Sequence, residues 1–266
     1  VLKMNHVSKL FNPGTVDEKV ALMDIRLDMK PGDFVTVIGS NGAGKSTLMN
    51  IISGVMKPDA GEVSIDGHSI SHLPEHRRSR WIGRVFQDPM AGTAPNMTIE
   101  ENLAMAYRRG ASRGFSVGVT SSRRAMFKQE LERLGIGLEH RLRARVGLLS
   151  GGERQALSLL MATFTRPQIL LLDEHTAALD PARAELITKL TNEIVRDMNL
   201  TTLMVTHNME QAIRLGNRLI MMNKGEIILD VDEERKKGLT VEQLLGEFEN
   251  ISGHKLADDR IMLGTQ

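Results

Sequence analysis

The chain contains no cysteine. Disulfides, thiolate metal sites and cysteine nucleophiles are therefore excluded, in agreement with a reducing compartment. Aromatic residues make up only 3% of the sequence, so the core must be built from Leu, Ile, Val, Ala and Met. Sixteen methionines serve that purpose, since a flexible thioether fills irregular gaps. Charge of one sign is also missing. The net charge is +1, which excludes the strong basic excess of a general nucleic-acid binder. The short basic runs Arg77-Arg78-Ser79-Arg80 and Arg123-Arg124 read as solvated surface. No apolar run reaches the length that crosses a bilayer. No charged-then-apolar leader opens the sequence, so an export signal is not expected. What remains is an ordinary globular balance, 41% hydrophobic and 25% charged over 266 residues. That length suits one large domain, or a domain with a subdomain.

Val1 to Leu10 and Val20 to Met29 have strand character and are separated by a turn-rich excursion at Asn12-Pro13-Gly14. Phe34 to Ile38 is a short apolar run of the kind found in buried parallel strands. A Gly-rich loop follows, and Lys45 to Ser53 reads as a helix. Glu62 to Asp66, Trp81 to Phe86, Ile169 to Leu172 and Thr201 to Thr206 are further strand candidates. From about 98 to 149 the spacing is helical, as at Phe127, Leu131 and Leu134. Glu153 to Phe164 predicts a buried helix. Pro181 opens another helix, with Ile187, Leu190, Ile194 and Met198 on one face. A short helix near Met209 to Leu215 precedes a hairpin of Arg218 to Met222 and Glu226 to Asp230, and an amphipathic helix spans Val241 to Phe248. Strands alternating with helices argue for a mainly parallel sheet.

Chemistry concentrates in a few places. Gly39-Ser40-Asn41-Gly42-Ala43-Gly44-Lys45-Ser46-Thr47 satisfies G-x-x-x-x-G-K-[ST], between a strand and a helix. Glycines let the backbone turn several N–H groups inward, and the positive end of the following helix adds to the attraction for phosphate. Lys45 can reach the β- and γ-phosphates of a nucleotide, and the Ser46 hydroxyl can ligate Mg²⁺. Ile169-Leu170-Leu171-Leu172-Asp173-Glu174 is an apolar strand ending in two carboxylates. Asp173 is placed to hold the metal shell, and Glu174 to polarise a water for attack on the γ-phosphate. Ser150 with Gly151 and Gly152 opens a second helix N-terminus, a second anion site far along the chain.

The segment Leu149-Ser150-Gly151-Gly152-Glu153-Arg154-Gln155, lying between the other two motifs, resembles the signature of the ABC (ATP-binding cassette) family. The resemblance covers about residues 1 to 230. It implies an α/β fold, a P-loop NTPase core with a mainly parallel sheet, an antiparallel β subdomain and a helical signature subdomain. The expected layout is an ATPase domain at 1–232, with the helical subdomain inserted at about 88–160, and a short helical tail at 233–266. The resemblance implies a head-to-tail homodimer, or a pair with a related ATPase subunit, holding two ATP molecules with Mg²⁺. Each ATP would touch the loop at 39–47 of one copy and Ser150, Gly151 and Gly152 of the other. Gln87 matches the glutamine near the metal and the attacking water. Asp180, in Ala178-Leu179-Asp180, matches the loop that crosses the dimer interface. His207 matches the histidine near the γ-phosphate. Phe11 is the candidate for stacking on adenine, with a plain core or loop aromatic as the alternative. One departure stands out: the family commonly has proline after the catalytic glutamate, where this chain has His175.

The activity implied is ATP hydrolysis that powers a separate membrane permease from the cytoplasmic face. Permease contact is expected between Gln87 and about Arg109. A solute-binding protein of the same system is the further partner, and no nucleic acid is. The segment from Gln87 to Gly110 resembles bacterial subunits of amino-acid uptake, including aromatic amino-acid systems. The alternative is an ABC ATPase acting on nucleic acid or ribosomes. Such proteins carry long coiled-coil insertions or two ATPase modules, neither of which is visible here.

Overall fold

A computed structural model describes residues 1–110 and 117–252, and its chain divides into two compact units. The first is Val1–Arg78 together with the chain from Thr201 onward; the second is Ser79–Leu200.

The first unit opens with β1 (Leu2–Phe11) and β2 (Lys19–Met29), an antiparallel pair. Alternate residues such as Leu2, Met4, Leu27 and Met29 are buried, as a half-buried sheet requires. After β3 (Phe34–Gly39), buried along its whole length, comes α1 (Lys45–Ser53). β4 (Ala60–Ile65) and the two-residue β5 (His68–Ser69) complete an antiparallel sheet of order β2-β1-β4-β5.

The short helix α2 (Glu75–Arg78) ends in a residue that overturns one expectation. Arg78 belongs to the basic run read as surface, yet it is fully buried. Its guanidinium donates to the carbonyls of Ile51 and Ile52 at the end of α1, at 2.6 and 2.9 Å. It also donates to Leu73 and Ser71, at 2.8 and 3.0 Å. A helix end leaves carbonyls unpaired, and a buried cation there satisfies them and the helix dipole together. Burial pulls its pKa down to about 10, so it stays charged at neutral pH. Arg78→Met would leave several buried acceptors without a donor. We expect it to lower stability by about 3 kcal/mol or more in urea unfolding.

The second unit holds β6 (Ile82–Val85), one residue shorter at each end than expected. The helical stretch resolves into α3 (Ile99–Tyr107) and α4 (Ser121–Glu132), then two short 3₁₀ turns and α5 (Gly151–Thr163). Thr98 and Glu101 form a capping box that starts α3. Scarce aromatics are spent together here. Tyr107, Phe127 and Phe164 meet edge to face, with ring centroids 5.8 to 6.3 Å apart. β7 (Ile169–Asp173) runs parallel to β6, and α6 (Pro181–Met198) closes the unit. β6, β7 and α6 belong to this unit together with the helices between them. Arg124 stays at the surface, as its basic run suggests, and pairs with the largely buried Glu100 at 2.5 Å.

The chain returns to the first unit with β8 (Thr201–Val205), parallel to β3. α7 (Met209–Arg214) leads to β9 (Arg218–Asn223), parallel to β3 on its other side. β10 (Glu226–Val231) pairs antiparallel with β9. The tail then gives α8 (Glu233–Lys236) and α9 (Val241–Ser252). It is no appendage: Leu244 and Phe248 lie in one core cluster with Met209, Ala212, Leu219 and Met221. The amino group of Lys236 is buried, donating to the carbonyls of Leu215 and Gly216. The last part of the expected tail, 253–266, lies outside the described residues. No helix among the described residues is long and apolar enough to cross a membrane.

Candidate functional site

In the first unit β3 ends at Gly39 and α1 starts at Lys45, with the intervening residues curled between them. Gly39 has φ 152°, and a side chain there would stand 2.2 Å from the Met222 carbonyl oxygen on β9. Only glycine fits. Helix α1 begins at Gly44 with no side-chain cap, whereas Thr98, Ser150 and Asp180 cap α3, α5 and α6. An uncapped helix start behind a glycine loop is built to receive an anion. Lys45 is 8% exposed, and its Nζ donates to the carbonyls of Gly39 and Ser40 at 2.6 and 3.1 Å. Its ammonium is thereby folded back over the loop. Ala43 is buried, while Asn41, Gly42 and Ser46 are exposed at the mouth and Thr47 is half-buried.

His207 is half-buried in the same unit, in the loop between β8 and α7. That loop is held on both sides. Thr206 Oγ1 donates to Gln211 Oε1 at 2.8 Å, and Asn208 caps α7. Phe11 is the last residue of β1 and is partly exposed, with Lys9 Nζ 5.8 Å from its ring centre. It is not a core residue.

The second unit carries the carboxylates. β7 ends at Asp173, whose Oδ2 accepts from Arg84 Nη2 on β6 at 2.8 Å. Arg84 gave no signal in the sequence, because the pairing depends on β6 and β7 lying side by side. Glu174 follows with φ 43°, a left-handed conformation that costs free energy for any residue but glycine. Gln87 is exposed just beyond β6. Gln155 on α5 is fully buried and donates to the Phe86 carbonyl at 3.2 Å, anchoring the chain next to Gln87.

Ser150 is the N-cap of α5. Its hydroxyl accepts from Glu153 N, and Glu153 Oε2 accepts from Ser150 N at 2.7 Å. This S-x-x-E capping box was open to view in the sequence but was not used there. Burial alone would raise the Glu153 pKa, but the bonds from Ser150 and the charge of Arg141 hold it below the usual range. A side chain on Gly151 would come within 3.4 Å of Leu179 Cδ2, and one on Gly152 within 3.1 Å of Arg183 Cδ. The chain at 178–183 thus lies against the two glycines. Asp180 caps α6, accepting from Arg183 N at 3.2 Å, with Pro181 in the first turn.

His175 is 2% exposed, and its Nε2 lies 3.0 Å from Thr191 Oγ1 on α6. The Thr191 hydroxyl gives its one hydrogen to the Ile187 carbonyl at 2.8 Å. With that hydrogen so placed, Nε2 is the donor of the pair. Burial pushes the His175 pKa down to about 4, so the ring is neutral at pH 7.

The family model described as ABC transporter matches residues 22–177. A tyrosine transport ATP-binding protein of Clostridioides difficile is 43% identical over 94% of this chain and 99% of its own length. A methionine import ATP-binding protein of Enterococcus faecalis is 35% identical over 86% of this chain, which spans 64% of that protein. Among solved structures, a dimeric ATP-binding cassette in a post-hydrolysis state with ADP and Pi superposes with TM-score 0.75. It shares 30% identity, over 88% of this chain and 99% of that one. The ADP conformation of another cassette gives TM-score 0.77 at 25% identity, over 94% and 98% of the two chains.

Proposed function

The chain belongs to the ABC transporter family as an ATP-hydrolysing, ATP-binding subunit, and on that premise we propose that it drives amino-acid uptake, with tyrosine or a close aromatic analogue as the cargo of the assembled system. The single observation that carries the cargo is the 43% identity, along almost the full length of both chains, to a tyrosine transport ATP-binding protein. Relatives named for other cargoes are 30–35% identical and several are longer proteins.

In this reading the glycine loop Gly39 to Gly44, with Lys45 and Thr47, cradles the ATP phosphates, and Phe11 stacks on the base. Ser46, Gln87 and Asp173 would hold Mg²⁺. A hydroxyl, an amide oxygen and a carboxylate are the hard oxygen donors that this ion takes. When bound, the metal neutralises charge on the β- and γ-phosphates. Glu174 then orients and deprotonates the attacking water, and His207 donates a hydrogen bond to the γ-phosphate. Ser150 of a second copy would offer its hydroxyl, and Gly151 and Gly152 their amides, to the same nucleotide, with Asp180 at the boundary between copies. Dimerisation of a related cassette with ADP and Pi supports that pairing.

Permease contact falls on the segment from Gln87 to about Arg109. Met90, Met105 and Tyr107 leave 38, 48 and 41% of their surface exposed there, apolar area suited to a helix of a membrane partner. A solute-binding protein would deliver the cargo, and the chain would work on the cytoplasmic face. We read residues 1–232 as the ATPase domain and 88–160 as its helical subdomain. The test is uptake of labelled tyrosine by cells carrying or lacking this gene. Loss of tyrosine uptake on deletion, restored by the wild-type chain and not by Glu174→Gln, is the expected result. Unchanged tyrosine uptake in the deletion strain overturns the cargo assignment.

A further inference from the structure

The Glu174 carbonyl accepts a hydrogen bond from Ala177 N at 2.9 Å, so residues 174 to 177 close a four-residue turn. His175 occupies its second position, where proline is favoured because its ring presets φ near the value the turn needs. Histidine offers no such constraint. Immediately before it, Glu174 sits at φ 43°, a conformation that persists only where the surroundings hold it. What holds the turn is visible in the side chain of its second residue. The His175 ring is buried to 2% exposure and donates through Nε2 to Thr191, whose own hydrogen is committed to Ile187. Thr191 is itself 1% exposed, inside the long and regular helix α6. The turn is thereby tied to a long, regular helix two residues from the end of β7.

We infer that His175 is a positioning residue for Glu174: its hydrogen bond to Thr191 does through side-chain tethering what a proline would do through φ. The inference rests on the reading of Glu174 as the residue that orients the attacking water. His175 touches neither nucleotide nor water in this scheme. It acts by limiting where the Glu174 backbone can go, and hence where the carboxylate points. An error of about 1 Å in such a group costs up to roughly a hundredfold in rate, with little effect on substrate binding.

The experiment is steady-state ATP hydrolysis by the full chain with His175→Ala, His175→Gln, His175→Pro, Thr191→Val and the His175→Ala/Thr191→Val pair. His175→Ala should lower kcat roughly ten- to a hundredfold while KM for ATP changes by less than about twofold. Thr191→Val, nearly isosteric, should produce the same split. The double variant should be no slower than the worse single one, since one bond is lost in each case. Glutamine carries an N–H at about the reach of Nε2, and proline restores the φ constraint. At least one of the two should recover most of the rate. The inference is overturned if His175→Ala and Thr191→Val keep the wild-type kcat, if their losses multiply in the double variant, or if neither Gln nor Pro recovers the rate. A wild-type chain that hydrolyses no ATP would instead sink the reading of Glu174 itself, and this inference with it.

Discussion

Glu174→Gln is expected to keep ATP bound and to stop its hydrolysis. Glutamine has nearly the same shape as glutamate, so the left-handed turn and the His175 anchor beside it should survive. What disappears is the negative charge and the basic oxygen. Loss of a positioned general base removes on the order of 10² to 10⁴ in rate, so kcat should fall at least a hundredfold. ATP affinity should stay close to wild type. Because opening of the paired chains would follow hydrolysis, the variant should accumulate as an ATP-bound dimer. Gel filtration with multi-angle light scattering, run with and without ATP, reads this directly. Wild-type turnover in the variant would take Glu174 out of the role given to it. A strictly monomeric variant that still binds ATP would count against the shared nucleotide site.

Lys45→Ala should act one step earlier, on binding. In the structure the Lys45 ammonium already lies within the loop, on the carbonyls of Gly39 and Ser40. A triphosphate is a far better partner for a buried cation than two carbonyls are, because the bond is charge-assisted on both sides. Losing that bond should cost about 2 kcal/mol or more, which raises the ATP dissociation constant at least ~30-fold. Calorimetric titration with ATP checks this, and the fold should remain intact because alanine favours a helix and the N-cap Gly44 is untouched. An unchanged affinity would contradict the cradle. The two variants together separate binding from chemistry, since one loses affinity and the other only rate.

How much of this could be read from the residues depends on how local each feature is. Helix α1 begins and ends where the spacing places it, at Lys45 and Ser53, because a glycine bounds it at each end. The closing hairpin β9–β10 was legible from Lys224-Gly225 between two apolar runs. The tiny β5 and α2 carried too few residues for any period to register. Arg78 misled because charge argues for water, and nothing nearby in the chain announces four carbonyls waiting for it. The amphipathic spacing of Val241 to Phe248 was legible as well, and Leu244 and Phe248 on its apolar side join the core with α7.

The sequence by itself determined the identity of the chemistry: a glycine loop with Lys45, two carboxylates after an apolar strand, and LSGGERQ between them. These are short contiguous segments whose function resides in backbone geometry that local glycine and serine content can specify. Tertiary structure alone decided which side chains meet beside these segments. Arg84 reaches Asp173 across 89 residues of chain, and His175 reaches Thr191 only because α6 turns back over the end of β7. Such partners are chosen by packing, which brings together residues that share no period, motif or neighbourhood along the chain.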